Sequence, residues 1–371
     1  MLLMKPQKIL SNLSKIHLPL VMLVFFISGC GFLMLYSAAG GNFEPWAKHQ
    51  IIRFVPGFIL MLVLAFTPIR TLLHYSYPAY ASILLLLVIV EITGHIGMGA
   101  QRWVSFGVIN LQPSELMKLA TILALARYFH YVRPSEHNGL SFLIIPLLLL
   151  MMPVALILKQ PNLGTATILT AVGLMIAFIA GVNWRWFVGS ILLGLASAPI
   201  GWHFLHDYQK QRVLTFLNPE ADPLGAGYNI LQSMIAIGSG GLFGKGFLNG
   251  SQGQLDFLPE KQTDFIFTML AEEFGFLGGA AIIACYCLLI ILALAIASRS
   301  RNRFGGLVAA GISAMLFMHV FINIAMVMGM IPVVGVPLPL LSYGGSILLA
   351  MLTGFGLLLN AWINRDIKLS G

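Results

Sequence analysis

Apolar residues come in ten long, nearly unbroken runs, near residues 17–38, 50–68, 77–94, 114–131, 140–158, 163–182, 185–205, 264–297, 307–331 and 340–363. A membrane-crossing helix needs about 20 mainly apolar residues, and unpaired backbone groups are too costly in lipid for open strands. The pattern therefore predicts an all-α integral membrane protein with ten transmembrane helices in a single polytopic domain, residues 1–371. Polar positions fall into short connections, with one exception. Residues 206–263 form a long loop between the seventh and eighth helices. Within it an amphipathic stretch at 208–217 and an apolar one at 228–237 predict short helices at the membrane interface or re-entering it, followed by a glycine-rich run at 238–250.

Composition agrees with the pattern. The chain is 58% hydrophobic and 9% charged, against about 25% charged for soluble domains. Twelve of the 21 basic residues fall in one set of alternate connections: Lys5, Lys8, Lys15, Arg70, Arg127, Arg133, Arg185, Arg299, Arg301, Arg303, Arg365 and Lys368. Short loops rich in lysine and arginine stay cytoplasmic, so both termini are expected in the cytoplasm and the long loop outside it. This asymmetry and anionic lipid account for the net charge of +8, and no nucleic-acid partner is implied. The first run is longer than a typical signal-peptide core and reads as a retained helix. Cys30, Cys285 and Cys287 lie inside apolar runs, without disulfide or zinc spacing.

Candidate chemistry gathers at the long loop. Asp207, Glu220, Asp222, Asp256, Glu260, Asp264, Glu272 and Glu273 are eight of only 13 acidic residues. Asp264 stands where that loop enters a long apolar helix, a place suited to a general base, since a low dielectric raises a carboxylate pKa and Lys261 lowers it. The competing reading makes Thr263 or Asp264 a helix N-cap. Glu115 and Lys118 have the i, i+3 spacing at which helical side chains meet. They form either a functional pair or a structural one, and Lys118, Arg102 and Trp103 could together hold a phosphate and a sugar face. His203, His206 and Asp207 offer a weak metal corner. Glu91 is a relay or a buried acid, and His319 and Asn323 read as interhelical glue. The run 241–246 lacks the spacing of a phosphate loop and reads as a turn.

Three motifs, Gln112-Pro113-Ser114-Glu115 with Lys118, Phe257-Leu258-Pro259-Glu260 leading into Thr263-Asp264-Phe265, and Leu338-Pro339-Leu340-Leu341-Ser342-Tyr343-Gly344-Gly345-Ser346, resemble the shape, elongation, division and sporulation (SEDS) family over nearly the whole chain. The segment 332–339 is more similar to the family's elongation branch, the rod-shape proteins, than to its division branch. The resemblance implies a ten-helix glycosyltransferase of the bacterial inner membrane, with its site facing the periplasm, that polymerises lipid II beside a class B penicillin-binding protein. It also implies that Asp264 matches the essential aspartate and that Trp103, Lys118, Glu115 and Ser342 match important positions. One departure stands out: Asn162 replaces the family's usual aspartate in Gln160-Pro161-Asn162-Leu163-Gly164-Thr165.

In the mechanism so implied, Asp264 is the general base of an inverting transfer, and Lys118, Arg102, Lys210 and Arg212 are candidates to offset leaving-group charge. No cofactor is required by the residues; a divalent cation, Mg or Mn, is an open candidate. The rival readings are a lipid II flippase, which needs a polar path at mid-membrane, and a non-catalytic scaffold for the penicillin-binding protein. The nearly uncharged runs favour the enzyme.

Overall fold

The computed structural model describes residues 15–93, 95–97, 100–106, 109–132, 141–204, 207–218, 225–255 and 257–369. Its long elements are helical, and ten of them fall on the ten apolar runs: α1 (Leu18–Ala38), α2 (Trp46–Phe66), α3 (Ile69–Thr93), α4 (Pro113–Tyr131), α5 (Ser141–Lys159), α6 (Leu163–Ile179), α7 (Trp184–Phe204), α11 (Ile266–Arg299), α12 (Arg303–Val327) and α13 (Gly345–Ile363). Among the described residues, seven of these are long and apolar enough to cross a membrane: α1, α2, α3, α5, α11, α12 and α13. The predicted helices of the long connection are present as α8 (Asp207–Leu217) and α9 (Ala226–Ser239), followed by a single turn, α10 (Ser251–Gln254).

The purely helical expectation is corrected at one place. Residues 95–111, between α3 and α4, form a small antiparallel sheet with strands β1 (His95–Gly97), β2 (Ala100–Phe106) and β3 (Ile109–Leu111) in the order β1-β2-β3. His95 stands opposite Trp103, and Val104 opposite Leu111. The central strand β2 pairs with β1 through residues 100–103 and with β3 through residues 104–106, which satisfies part of the backbone of this non-helical stretch.

The most apolar windows of α12 and α13 are 72% and 78% buried, against 22–39% for the other five candidate spans, so these two helices form the centre. Small residues let neighbours approach them. A Cβ on Gly356 of α13 would lie 2.6 Å from the Met61 carbonyl of α2, the close backbone contact that substitutes for hydrophobic drive between helices in lipid. Facing outward, Leu18 and Met22 of α1, Leu147 and Leu148 of α5 and Leu193 of α7 are exposed, a surface suited to an apolar medium.

Helix α11 is broken. Gly275 has φ 66° and ψ −163°, which frees the Glu272 and Glu273 carbonyls and the N–H groups of Phe276 and Leu277. All four are taken up by the glycine-rich run. Lys245 N and Gly246 N donate to Glu272 O and Glu273 O, both at 3.0 Å, while Phe276 N and Leu277 N donate to Gly241 O and Leu242 O at 2.8 and 3.2 Å. A Cβ on Gly244 would lie 2.1 Å from the Glu273 carbonyl, so only glycine permits the approach. The run expected to be a simple turn is thus a clasp across a helix break.

Candidate active site

Asp264 is half-buried at the head of α11, and the N-cap position falls on Phe265. Neither Thr263 nor Asp264 occupies it, so the capping assignment is corrected. Thr263 Oγ1 instead turns back to Glu260, donating to its carbonyl at 3.2 Å and contacting Oε2 at 3.1 Å. The chain around Asp264 is tied from three directions. Asn323 Nδ2 of α12 donates to Asp264 O at 2.8 Å and to Val336 O at 2.7 Å. Ser342 Oγ donates to Thr263 O at 2.6 Å and accepts from Leu338 N at 2.8 Å. Tyr343 N donates to Gln262 O at 2.8 Å. Lys261, buried, donates to Gly253 O at 2.7 Å. Beside the carboxylate lies Gly335, at φ +69°, where a Cβ would sit 3.3 Å from Asp264 Oδ2.

The second constellation is assembled on α4. Pro113 opens that helix, and Lys118 Nζ reaches Glu115 Oε2 at 2.8 Å, with side chains 0% and 7% exposed. On its other side Lys118 Nζ lies 2.7 Å from His319 Nε2 of α12. A lysine ammonium donates in both pairs only if His319 Nε2 accepts, which puts the proton of a neutral imidazole on Nδ1. Since His319 and Asn323 lie four residues apart on α12, one helix touches both the ion pair and the Asp264 segment. The glue reading of these two residues agrees with the contacts they make.

The remaining sequence candidates are scattered. Trp103 is half-buried on β2; the Arg102 side chain lies outside the described residues. Lys210 is half-buried on α8, and the Arg212 side chain also lies outside the described residues. Ser342 is 1% exposed and spends its hydroxyl on the backbone. Asn162 caps α6 by accepting from Thr165 N at 3.3 Å, a role that needs an oxygen and not a charge. His203 is exposed, while His206 and the side chain of Asp207 lie outside the described residues. Among the described residues no three His, Cys, Asp or Glu side chains gather to hold a metal ion.

One group was missed from sequence, and an acidic pair named there finds its partners. Gln50 of α2 donates to Ser342 O at 3.0 Å and accepts from Gly344 N at 3.2 Å; a lone buried glutamine in an apolar run was its signal. Glu272 is fully buried and is held by Lys245 Nζ at 2.7 Å, Ser251 Oγ at 3.1 Å and Gln252 N at 3.0 Å, and Ser37 of α1 donates to Glu273.

Fold and site together define a multi-pass helical membrane protein with polar networks concentrated where helices end or break. The chain belongs to the cell cycle protein family of FtsW, RodA and SpoVE, whose model matches residues 17–366. It is 44% identical over 360 residues to the peptidoglycan glycosyltransferase MrdB of Escherichia coli, covering 95% of each chain. To stage V sporulation protein E of Bacillus subtilis it is 38% identical, over 92% of this chain and 95% of that one. Among solved structures, the rod shape determining protein RodA of Thermus thermophilus superposes with a TM-score of 0.73 at 31% identity, over 95% of this chain and 98% of that one. A chain from a structure describing polymerization and crosslinking by a peptidoglycan synthase complex superposes at 0.83 with 33% identity, over 95% and 98%.

Proposed function

We propose that this chain is a peptidoglycan glycosyltransferase that polymerises lipid II into β-1,4-linked glycan during cell elongation. The observation that carries the reading is a half-buried carboxylate, Asp264, whose main chain is tied to α12 and to the 338–343 segment. The names of the relatives, which are glycosyltransferases, support the reaction class.

In the proposed step the GlcNAc 4-hydroxyl of one lipid II gives its proton to Asp264 as its oxygen bonds to the anomeric carbon of a lipid-linked MurNAc. The bond from that carbon to the diphosphate breaks, and undecaprenyl diphosphate leaves with the electron pair. Displacement at an α-linked donor inverts the centre and yields the β bond, and because diphosphate leaves as a stable anion without a general acid, the base is the one carboxylate the step needs. Arg102, Lys210 and Arg212 meet the leaving-group charge, and Trp103 packs on a sugar face. Lys118 and Glu115, being buried against each other, and Ser342, bonded to backbone, hold the frame that substrate enters. No step is routed through a divalent cation.

In the proposed topology all ten long helices cross the inner membrane, with α4, α6 and α7 completing the set. Both termini are cytoplasmic and the 206–263 connection faces the periplasm, beside a class B penicillin-binding protein. The test is lipid II polymerisation by the purified complex, comparing wild type with Asp264→Asn at matched folding and partner capture. Loss of a general base predicts a fall of about 10²–10⁴-fold. Wild-type rates from the variant would sink the assignment, and no glycan from an otherwise competent wild-type complex would favour the flippase or scaffold.

A further inference from the structure

Asn323 is fully buried in α12 and places one amide nitrogen between two carbonyl oxygens, those of Asp264 and Val336. Two acceptors on one side fix which way the amide points. On the other side, Asn323 Oδ1 is buried without a hydrogen-bond donor among the described residues. A buried polar atom left unsatisfied is expensive and calls for a reason beyond packing. One turn earlier on the same helix, His319 contacts Lys118, which in turn holds Glu115. Gly335, whose missing side chain leaves space beside the Asp264 carboxylate, directly precedes the Val336 that Asn323 grips.

We infer that Asn323 is a positioning residue for Asp264, and that the Glu115–Lys118 pair acts on the carboxylate at a distance, through His319 and the shared face of α12. The inference rests on the reading of Asp264 as the base. One amide sets the spacing between the Asp264 main chain and the Gly335-Val336 segment, and so aims the carboxylate into the gap that Gly335 leaves. The ion pair anchors the helix that carries the amide. Neither Asn323 nor Lys118 touches substrate in this account. Their loss should therefore change how fast bound substrate reacts and not how tightly it binds.

The experiment measures lipid II polymerisation by the full-length protein with its penicillin-binding partner, separating kcat from KM, for Asn323→Ala, Asp264→Asn, the double variant, His319→Leu and His319→Gln. Misplacing a reacting group by about 1 Å can cost about 100-fold in rate. Asn323→Ala should lower kcat by about that much, with KM within about twofold, and the double variant should be no slower than Asp264→Asn alone. His319→Gln, which can still accept from Lys118, should recover most of what His319→Leu loses. Melting temperature and partner capture identify any variant that fails to fold; if Asn323→Ala does, the two His319 variants decide by the same kcat test. A normal kcat for Asn323→Ala with an inactive Asp264→Asn would overturn the positioning role and leave the base intact. A raised KM with normal kcat would instead make Asn323 a binding residue. Full activity of Asp264→Asn would remove the reading on which the inference stands.

Discussion

At the scale of single residues, the site depends on groups that hold backbone more than on groups that meet solvent. Gly335 is the clearest case. Its φ of +69° costs a non-glycine residue about 1–2 kcal/mol, and an added Cβ would stand 3.3 Å from Asp264 Oδ2. Gly335→Ala is expected to fold, with a lower melting temperature, and to lose polymerisation far beyond its loss of stability. Equal losses in the two assays would show the glycine to be only a turn residue. Asp264 was legible from its place where a polar loop meets an apolar run, and so was the i, i+3 contact of Glu115 with Lys118. The cap alternative could not be settled beforehand, because a one-residue shift of the helix start to Phe265 decides it, and helix ends are poorly defined by pattern. Nor could sequence show that Ser342 turns its hydroxyl to Thr263 O, since a serine in a glycine-rich segment has many local partners.

At the scale of elements, the glycine-rich run and the broken helix are one unit. Gly275→Ala would bring a Cβ within 2.3 Å of Gly244 N, and Gly244→Ala would meet the same wall from the other side. Both should unfold at markedly lower temperature. Gly189→Ala, in α7 with nothing within 4 Å of the new Cβ, should be neutral or stabilising by up to about 1 kcal/mol. Thermal unfolding in detergent distinguishes these outcomes. Lys245→Met leaves Glu272 buried without its cation and should cost about 3 kcal/mol, the low end for a buried pair because Lys245 is partly exposed. Adding Glu272→Gln should recover part of it. The helices themselves were legible because run length and apolarity suffice to specify them, including α8 and α9 in the long connection. Helix α9 was expected at the interface or re-entering it, and its Ser233 is buried against Thr268 and Val327, at 2.7 Å from each. Fourteen residues with one serine facing inward look the same by composition whether they rest on lipid or on protein. The sheet was missed because its strands are short and their alternation is weak, so that pairing between neighbouring strands, and not the period of any one of them, decides their form.

At the scale of the whole molecule, the proposed even number of crossings, with both termini on one side, can be tested directly. In a background lacking Cys30, Cys285 and Cys287, single cysteines at Lys15 and Lys368 should label only after permeabilisation, and one at Phe243, which is exposed on the clasp, should label in intact spheroplasts. Labelling of Lys15 and Lys368 from opposite sides would require an odd number of spans. The central position of α12 and α13 could not be foreseen, because every run is apolar and hydropathy alone does not separate lipid-facing from protein-facing helices.

The break at Gly275 also settles a question of height. A straight helix of 34 residues would run about 51 Å, well beyond a hydrocarbon core of about 30 Å. Divided at Gly275, residues 276–299 are long enough to cross alone, and residues 266–274 form a separate helical limb about 13 Å long with Asp264 just before its first turn. Each residue added to that limb would move the carboxylate by about 1.5 Å along it and swing it by about 100°. Under the proposed reading of Asp264 as the base for a lipid-tethered substrate, the number of residues between Asp264 and Gly275 would set the height at which the carboxylate meets the reacting atom.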